Sequence, residues 1–167
     1  MENHKTPYIC GPLTELPVEQ QKSVKSFYKR IADLCEEQIG ERAFVPHEHF
    51  DPVRHVNFLP KDVDKAERKQ VCERTSLLIV VAIAPSWGGG IEVEMANRSN
   101  VPVVILCEKQ KNISRLLRGN PAVIDIIFYT SQENALLGLR EKLVLYEKIA
   151  VSPQLQKLAT NLTLIFI

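Results

Sequence analysis

Continuous apolar runs alternate with segments of helical spacing along most of the chain. One run covers residues 77–84 and another covers 101–107, and both are rich in valine, isoleucine and leucine. Runs this apolar are typical of strands that are covered on both faces, as in a parallel sheet. Between the two runs, three glycines at 88–90 lead into a short segment with helical spacing. The pattern therefore predicts a strand, a loop, a helix and a second, parallel strand.

The rest of the chain repeats this alternation, which implies βαβ units with right-handed crossovers. We therefore predict a single-domain, doubly wound α/β fold of flavodoxin or Rossmann type, with a five-stranded parallel sheet. Besides the two central strands and the helix between them, the pattern predicts strands at 7–10, 43–45 and 123–129, and helices at 17–39, 61–74, 113–118 and 132–149.

The predicted α/β domain covers residues 1–150 and leaves an apolar C-terminal tail at 151–167. Five of the last six residues of the tail are apolar. This composition is compatible with an edge strand, with part of an oligomer interface, or with the start of a segment beyond this sequence.

Length and composition indicate an ordinary globular protein. The chain has 167 residues, of which 45% are hydrophobic and 25% charged, and its net charge is +1. That balance gives no electrostatic reason to expect nucleic acid or membrane binding. We recognise no signal peptide and no apolar run long enough to span a bilayer. The four widely spaced cysteines are expected to be reduced thiols, so we predict a cytoplasmic protein.

The three glycines fall just past the carboxyl end of a predicted strand, the edge where ligands bind in open α/β sheets. Glycines let a backbone approach a ligand, and the start of the following helix favours an anion. A flexible loop explains the glycines equally well. The stretch is not GxGxxG and no P-loop lysine follows it, so the usual dinucleotide and triphosphate motifs do not apply.

Polar residues near this edge also have structural explanations. Glu92 and Glu94 could simply favour the helix dipole, although Glu92 lies beside the glycines. His47 and His49 could chelate a metal ion, but the one further histidine nearby is His55, so we favour a cavity rim or plain surface residues. The charged residues of the predicted helix at 61–74 favour a solvated face; they are Asp62, Asp64, Glu67, Arg68 and Lys69.

Several stretches resemble the nucleoside 2-deoxyribosyltransferase superfamily, and within it the enzymes that hydrolyse 2'-deoxynucleoside 5'-phosphates. The resemblance implies that Glu92 is the nucleophile, and that the serine at Ser114 reaches the substrate phosphate of a neighbouring subunit. The stretches that carry it are Tyr8-Ile-Cys-Gly11-Pro12, Ser86-Trp-Gly88-Gly-Gly90-Ile-Glu92-Val-Glu-Met-Ala96, Val101-Pro-Val-Val-Ile, and Asn112-Ile-Ser114-Arg-Leu-Leu-Arg118-Gly119.

The chain departs from the family pattern at three places. Pro12 and Thr14 stand where a serine and an arginine help to hold phosphate. The aspartate that helps to protonate the base is replaced by Arg68, which leaves Glu67 beside it and Asp64 one turn earlier as candidates for the general acid. Glu94 replaces a glycine two residues after the nucleophile.

The resemblance implies cleavage of an N-glycosidic bond in a (2'-deoxy)nucleoside or its 5'-monophosphate, through a covalent glycosyl intermediate on Glu92 and release to water. Transfer of the sugar to a second base, or a domain that binds nucleotides without turning them over, are the alternatives. We expect no cofactor or metal ion, a small-molecule substrate rather than a nucleic acid polymer, and a homodimer. The predicted catalytic residues are Glu92, Asp64 and Glu67, and the predicted substrate-binding residues are Tyr8 beside the sugar, Gly11, His49, Ser86, Gly88, Gly90 and Ser114.

Overall fold

Four parallel strands in the order β1-β2-β3-β4 form the centre of the molecule, with helices on both faces. The computed structural model describes residues 5–51 and 57–166. The elements are β1 (Thr6–Cys10), α1 (Val18–Ile39), α2 (Pro46–Phe50), α3 (Pro60–Arg74), β2 (Thr75–Val81), α4 (Trp87–Arg98), β3 (Val103–Glu108), α5 (Arg115–Arg118), β4 (Val123–Tyr129), α6 (Gln132–Ala150) and α7 (Pro153–Phe166).

The segment predicted as a strand at 43–45 pairs with the sheet at a single residue. Phe44 forms an isolated parallel bridge with Tyr8, in which its carbonyl accepts from the Ile9 amide at 2.9 Å. Pro46 then begins α2, so the segment is too short to continue along β1, and part of the predicted loop at 46–52 is helical. The sheet therefore has four strands instead of the predicted five, and the doubly wound arrangement is kept.

Alternate residues of the central strands belong to two separate hydrophobic cores, one on each face of the sheet. On β2, Leu77, Ile79 and Val81 pack with α1 and α6 on one face. Residues of the opposite parity, including Leu78, pack with α3 and α4 on the other face. This explains why the strands have no polar alternation, because both of their faces are buried. Helices α3 and α4 therefore lie on the same face of the sheet. In the sequence, α3 comes directly before β2 and α4 comes after it.

The described part of the C-terminal tail forms helix α7 from Pro153 to Phe166, so the edge-strand interpretation of this part is wrong. Proline is favourable at the start of a helix, where its missing N–H has no partner to lose, and Pro153 begins α7. The helix packs on α6 and β4, and the Thr160 hydroxyl donates to the Pro121 carbonyl at 3.1 Å. Within the described residues, no helix is both long and apolar enough to cross a membrane.

The loop after β1 is held close to α1. A Cβ atom built on Gly11 would lie 2.3 Å from the Tyr28 hydroxyl oxygen and 3.1 Å from the Val81 carbonyl oxygen. The Tyr28 hydroxyl donates to the Pro12 carbonyl at 2.8 Å. Position 11 thus requires glycine, because the loop after β1, helix α1 and the end of strand β2 approach one another closely there.

Candidate active site

A cavity of about 400 Å³ opens at the carboxyl ends of β1 and β2, beside the start of α4. Its wall combines acidic and aromatic side chains with the backbone of the glycine loop, residues 86–90, which the structure folds as the start of α4 instead of the predicted loop. The residues that characterise it are Glu15, Glu67 and Glu92; Tyr28, His47, Phe50 and Trp87; and Gly11, Ser86, Gly88 and Gly89.

Glu92 lies in the second turn of α4 and is only 8% exposed. The Tyr8 hydroxyl donates a short hydrogen bond to its Oε1 atom. Burial raises the pKa of Glu92 above the usual range, while hydrogen bonds from Cys10 and Tyr8 act in the opposite direction by stabilising the carboxylate. Burial also raises the pKa of Tyr8 and of Cys10, which keeps both groups protonated as donors. The carboxylate is therefore oriented by β1 and turned towards the cavity.

The ring of Tyr8 is fixed by the segment that bridges to β1. Phe44 stacks on Tyr8 with ring centroids 5.5 Å apart, and His49 stacks on the far side of this pair, 4.4 Å from Phe44. His49 is exposed there and does not line the described part of the cavity, whereas His47 does. The structure thus brings His47 to the cavity wall instead of His49, the residue predicted to bind substrate. The two histidines are two positions apart on α2 and so lie on different faces of that helix.

The structure separates the two candidates for the general acid. Asp64 is exposed and accepts from Arg68 with both oxygens, at 2.9 and 3.0 Å. Glu67 is half-buried, lines the cavity, and has its pKa raised to about 7, first by burial and then by the charges of Glu92 and Asp64. A carboxyl group with this pKa can both donate and accept a proton near neutral pH. Glu67 therefore has the environment of an acid–base group, and Asp64 that of a surface ion pair.

Gly88 opens the space above Glu92. The two residues are four positions apart on α4, so they share one face of the helix. A Cβ atom on Gly88 would meet nothing within 4 Å, and among the described glycines only Gly40 has a positive φ. Neither packing nor backbone conformation therefore requires glycine at position 88. Its absent side chain leaves room for a ligand to approach the carboxylate.

Ser86 caps the start of α4, with its hydroxyl oxygen accepting from the Gly89 amide at 3.1 Å. The first N–H groups of a helix have no partner within the helix and favour a negative group. The amides of Trp87 and Gly88 lie at this end, beside the cavity. They offer a binding place for an oxygen-rich substrate group.

A second cavity, of about 680 Å³, lies on the other side of the glycine loop and meets the first at Gly11, Pro12, Ser86 and Gly89. Gly90 and Ser114 line this second cavity instead of the first. Ser114 caps α5, with its hydroxyl oxygen accepting from the Leu116 amide at 3.1 Å. Five of the seven predicted substrate-binding residues therefore line one or both of two adjoining spaces. The buried Tyr8 and the exposed His49 line neither of them.

The substrate-binding residues predicted from the sequence leave out Phe50 and Trp87, and they include His49 instead of His47, for which the sequence suggests a cavity rim or a plain surface position. Trp87 stands between Ser86 and Gly88, and this position is a usable signal. The choice of His47 and Phe50 depends on α2 being helical, which the local pattern does not predict. Among the described residues no cluster of histidine, cysteine or acidic side chains could hold a metal ion, and His55 lies outside the described residues. The four cysteines are free thiols.

A solved structure of a known protein is similar to this chain in fold. No protein-family model matches the sequence, and no curated protein sequence matches it either. Among solved structures, the chain is similar to the Clostridium botulinum CMP N-glycosidase BcmB, with a TM-score of 0.60 and 20% sequence identity. The match covers 85% of this chain and 99% of the glycosidase chain. The likeness confirms the predicted α/β fold class, with a parallel sheet flanked by helices.

Proposed function

We propose that this protein hydrolyses the N-glycosidic bond of a nucleoside or nucleoside 5'-monophosphate, through a glycosyl intermediate on Glu92. The observation that carries the proposal is the pair of unlike carboxyl groups in one cavity. Glu92 is buried and hydrogen-bonded by Tyr8, and Glu67 has a pKa of about 7. Retaining glycosidases use two carboxyl groups in this way, one as nucleophile and one as acid and base. The likeness in fold to a CMP N-glycosidase supports the same type of bond.

In the first half of the reaction, a Glu92 carboxylate oxygen bonds to C1' of the sugar as the bond from C1' to the base nitrogen breaks. The departing base carries the electron pair of that bond, and Glu67 donates its proton to the base. The hydrogen bond from Tyr8 holds Glu92 in the orientation of attack. A proton donor with a pKa near 7 is well matched to a reaction at neutral pH.

In the second half, water replaces Glu92 on C1'. The ionised Glu67 accepts a proton from the water as the new bond forms, and the bond from C1' to Glu92 breaks. The products are the free sugar or sugar phosphate and the free base. Glu92 is again a carboxylate and Glu67 is again protonated, so the site returns to its starting state without a cofactor.

The glycine loop would hold the sugar and its 5' group. Gly88 leaves space above Glu92 for the sugar ring, and the start of α4 offers backbone amides to a 5'-oxygen or phosphate. Gly11 and Ser86 border both cavities, so a 5' group that extends past them would reach Ser114. A homodimer would let a partner chain cover the second cavity, whose wall includes the 86% exposed side chain of Leu116.

The test is incubation with a panel of nucleosides and 5'-monophosphates, with free base followed by chromatography. A 2'-fluoro nucleoside of the best substrate should then trap the intermediate, because fluorine at C2' slows its formation and its hydrolysis. Mass spectrometry of digested protein should find the added sugar on the peptide that contains Glu92. Base release with no trapped sugar, or with sugar on another residue, would contradict the mechanism.

The same assay separates the alternative functions. When a second free base is added, a hydrolase continues to produce free sugar, whereas a transferase produces the exchanged nucleoside. If calorimetry detects binding of panel members but none releases base, the domain is a nucleotide sensor. We expect hydrolysis, since Glu67 is available to activate water in the second half of the reaction.

A further inference from the structure

The chain contains a single tryptophan, and it is almost entirely exposed. Trp87 is the first residue of α4, and 89% of its surface is open to solvent. Tryptophan is highly buried on average, because its large ring contributes strongly to packing. Packing within the part of the chain that the structure describes therefore does not explain the residue. Trp87 lines the cavity that contains Glu67 and Glu92.

We propose that Trp87 is a stacking platform for the planar base of the substrate, an inference that rests on the proposed function. The base must lie in the cavity of Glu67, because its ring nitrogen receives the proton of that group. Two aromatic residues, Trp87 and Phe50, line this cavity from two different elements, α4 and α2. Every base has a π-face, so an indole ring can hold it without hydrogen bonds.

The surroundings of Trp87 favour a ligand over a protein partner as the group that covers the ring. Gly88 follows it directly and leaves open space, and the neighbouring side chain on the other side is the small Ser86. The indole is thus the one large side chain from Ser86 to Gly90, at the mouth of the cavity. Within its described part the cavity wall includes no lysine or arginine, so affinity for the base must come from contacts other than ion pairs.

Because Trp87 is the single tryptophan of the chain, tryptophan fluorescence reports on this residue alone. Its fluorescence is recorded while the Glu92→Gln variant, which binds without turnover, is titrated with the 5'-monophosphates of the panel and with the free bases adenine, cytosine and hypoxanthine. Ribose 5-phosphate serves as the ligand without a base. We expect saturable quenching with the bases and the monophosphates that bind, and little change with ribose 5-phosphate.

Two substitutions then test the stacking itself by calorimetry. Trp87→Ala should weaken the binding of the base-containing ligands on the order of tenfold, the usual effect of losing one stacking contact. Trp87→Phe should retain most of the affinity, because a flat ring remains. Phe128→Ala, which removes a half-exposed aromatic ring from β4, is the matched control and should leave binding unchanged.

Several outcomes would overturn the inference. Unchanged affinity of Trp87→Ala for bases and monophosphates would remove the ring from the binding site. Quenching by ribose 5-phosphate equal to that by the monophosphates would assign the ring to the sugar or phosphate. A fall in oligomer mass in Trp87→Ala, seen by sedimentation, together with emission that changes on dilution of the unliganded protein, would assign it to a subunit contact. Because these experiments measure binding, they remain decisive even if no base is released.

Discussion

The two cavities that meet at Ser86 and Gly89 differ in the groups that line them. The first contains three carboxyl groups, aromatic rings and the space above Glu92. The second is larger and mainly apolar, and its polar groups include Lys111 and Ser114. The lysine is held in place there, since its Nζ donates to the Ile83 carbonyl and lies 3.6 Å from a Glu108 carboxylate oxygen.

This difference indicates a division of tasks across the glycine loop. Proton transfer and nucleophilic attack need two carboxyl groups in different environments, and the first cavity provides the buried Glu92, which accepts from Tyr8, and the half-buried Glu67. A cation and a hydroxyl group suit the 5' end of a nucleotide, and exposed apolar side chains suit a partner chain. Substitutions in the first cavity should therefore affect every substrate, whereas those in the second should affect substrates according to their 5' group.

Glu92→Gln should have the largest effect on the first cavity. The amide keeps the shape of the side chain and removes the nucleophile, so the rate of base release should fall on the order of a thousandfold or more. Substrate affinity should persist. The matched control is Glu133→Gln, which removes an acidic residue from the first turn of another long helix, α6. Near-normal turnover in Glu92→Gln would show that the carboxyl group has only a structural role, as the acceptor of the Tyr8 hydrogen bond.

Glu67→Gln should slow the reaction by about 10²- to 10⁴-fold, the usual contribution of a general acid or base. The loss should be smaller for a substrate whose base leaves readily without protonation. The control Asp64→Asn, three positions earlier on α3 and exposed, should leave the rate nearly unchanged. An equal loss for both variants would contradict the separation of the two acids.

The pH dependence of the reaction rate and of the melting temperature also tests Glu67. Glu67 must be protonated for the first half of the reaction, so with a pKa of about 7 the wild-type rate should fall as the pH rises above neutrality. The pKa of the folded state lies above that of the unfolded state, so protonation favours folding at low pH and this contribution is lost as the pH rises through 7. The melting temperature of Glu67→Gln should therefore exceed that of the wild type more at pH 8 than at pH 5.

Ser114→Ala tests the second cavity. We expect the catalytic efficiency for a 5'-monophosphate to fall on the order of tenfold, the cost of one hydrogen bond to a charged group, with little change for the unphosphorylated nucleoside. Mixing Glu92→Gln chains with Ser114→Ala chains then tests the homodimer. If partner chains share sites, activity on the monophosphate should rise after subunit exchange. A monomer by light scattering, or no rise despite exchange, would assign Ser114 to the site of its own chain.

Gly88→Ala should give the smallest effect. It should lower the affinity for the substrate without lowering the stability of the fold. Alanine is favoured over glycine in a helix by roughly 1 kcal/mol, and the new methyl group meets no neighbour. The free energy of unfolding should therefore stay the same or rise, while the affinity for the substrate falls several-fold. Gly11→Ala is the contrasting variant, which should destabilise the protein because its methyl group would clash with Tyr28.

Much of the fold and the position of Glu92 could be predicted from local sequence patterns. The apolar runs identify β2 and β3, and parallel strands bring the loops at their carboxyl ends to one edge. The choice between Asp64 and Glu67 was harder, because it depends on how α3 is rotated against the sheet. A signal was present, since Glu67 lies four residues before Val71, the buried residue of that helix. Residues on one face of a helix share their surroundings.

Other features depend on tertiary contacts that no local pattern reveals. The segment at 43–45 has the composition of a strand, but its pairing is limited to Phe44 by the start of α2. The sequence leaves the tail open between a strand and a helix, because five apolar residues among the last six fit either element. The division of Gly88 and Gly90 between two cavities follows from the 100° turn per residue of α4 and could be recognised only once that helix had been placed.

The consecutive order of α3, β2 and α4 has a consequence for how the site is assembled during folding. Glu67 and Glu92 belong to one helix–strand–helix unit, in which α3 and α4 pack against each other and on β2. Contacts within such a unit close short loops, whereas the bond between Tyr8 and Glu92 joins residues 84 positions apart. We expect the two carboxyl groups to come together early and to be oriented only when β1 docks. Local opening of β1 would then leave the unit folded but without the hydrogen bond that directs its nucleophile.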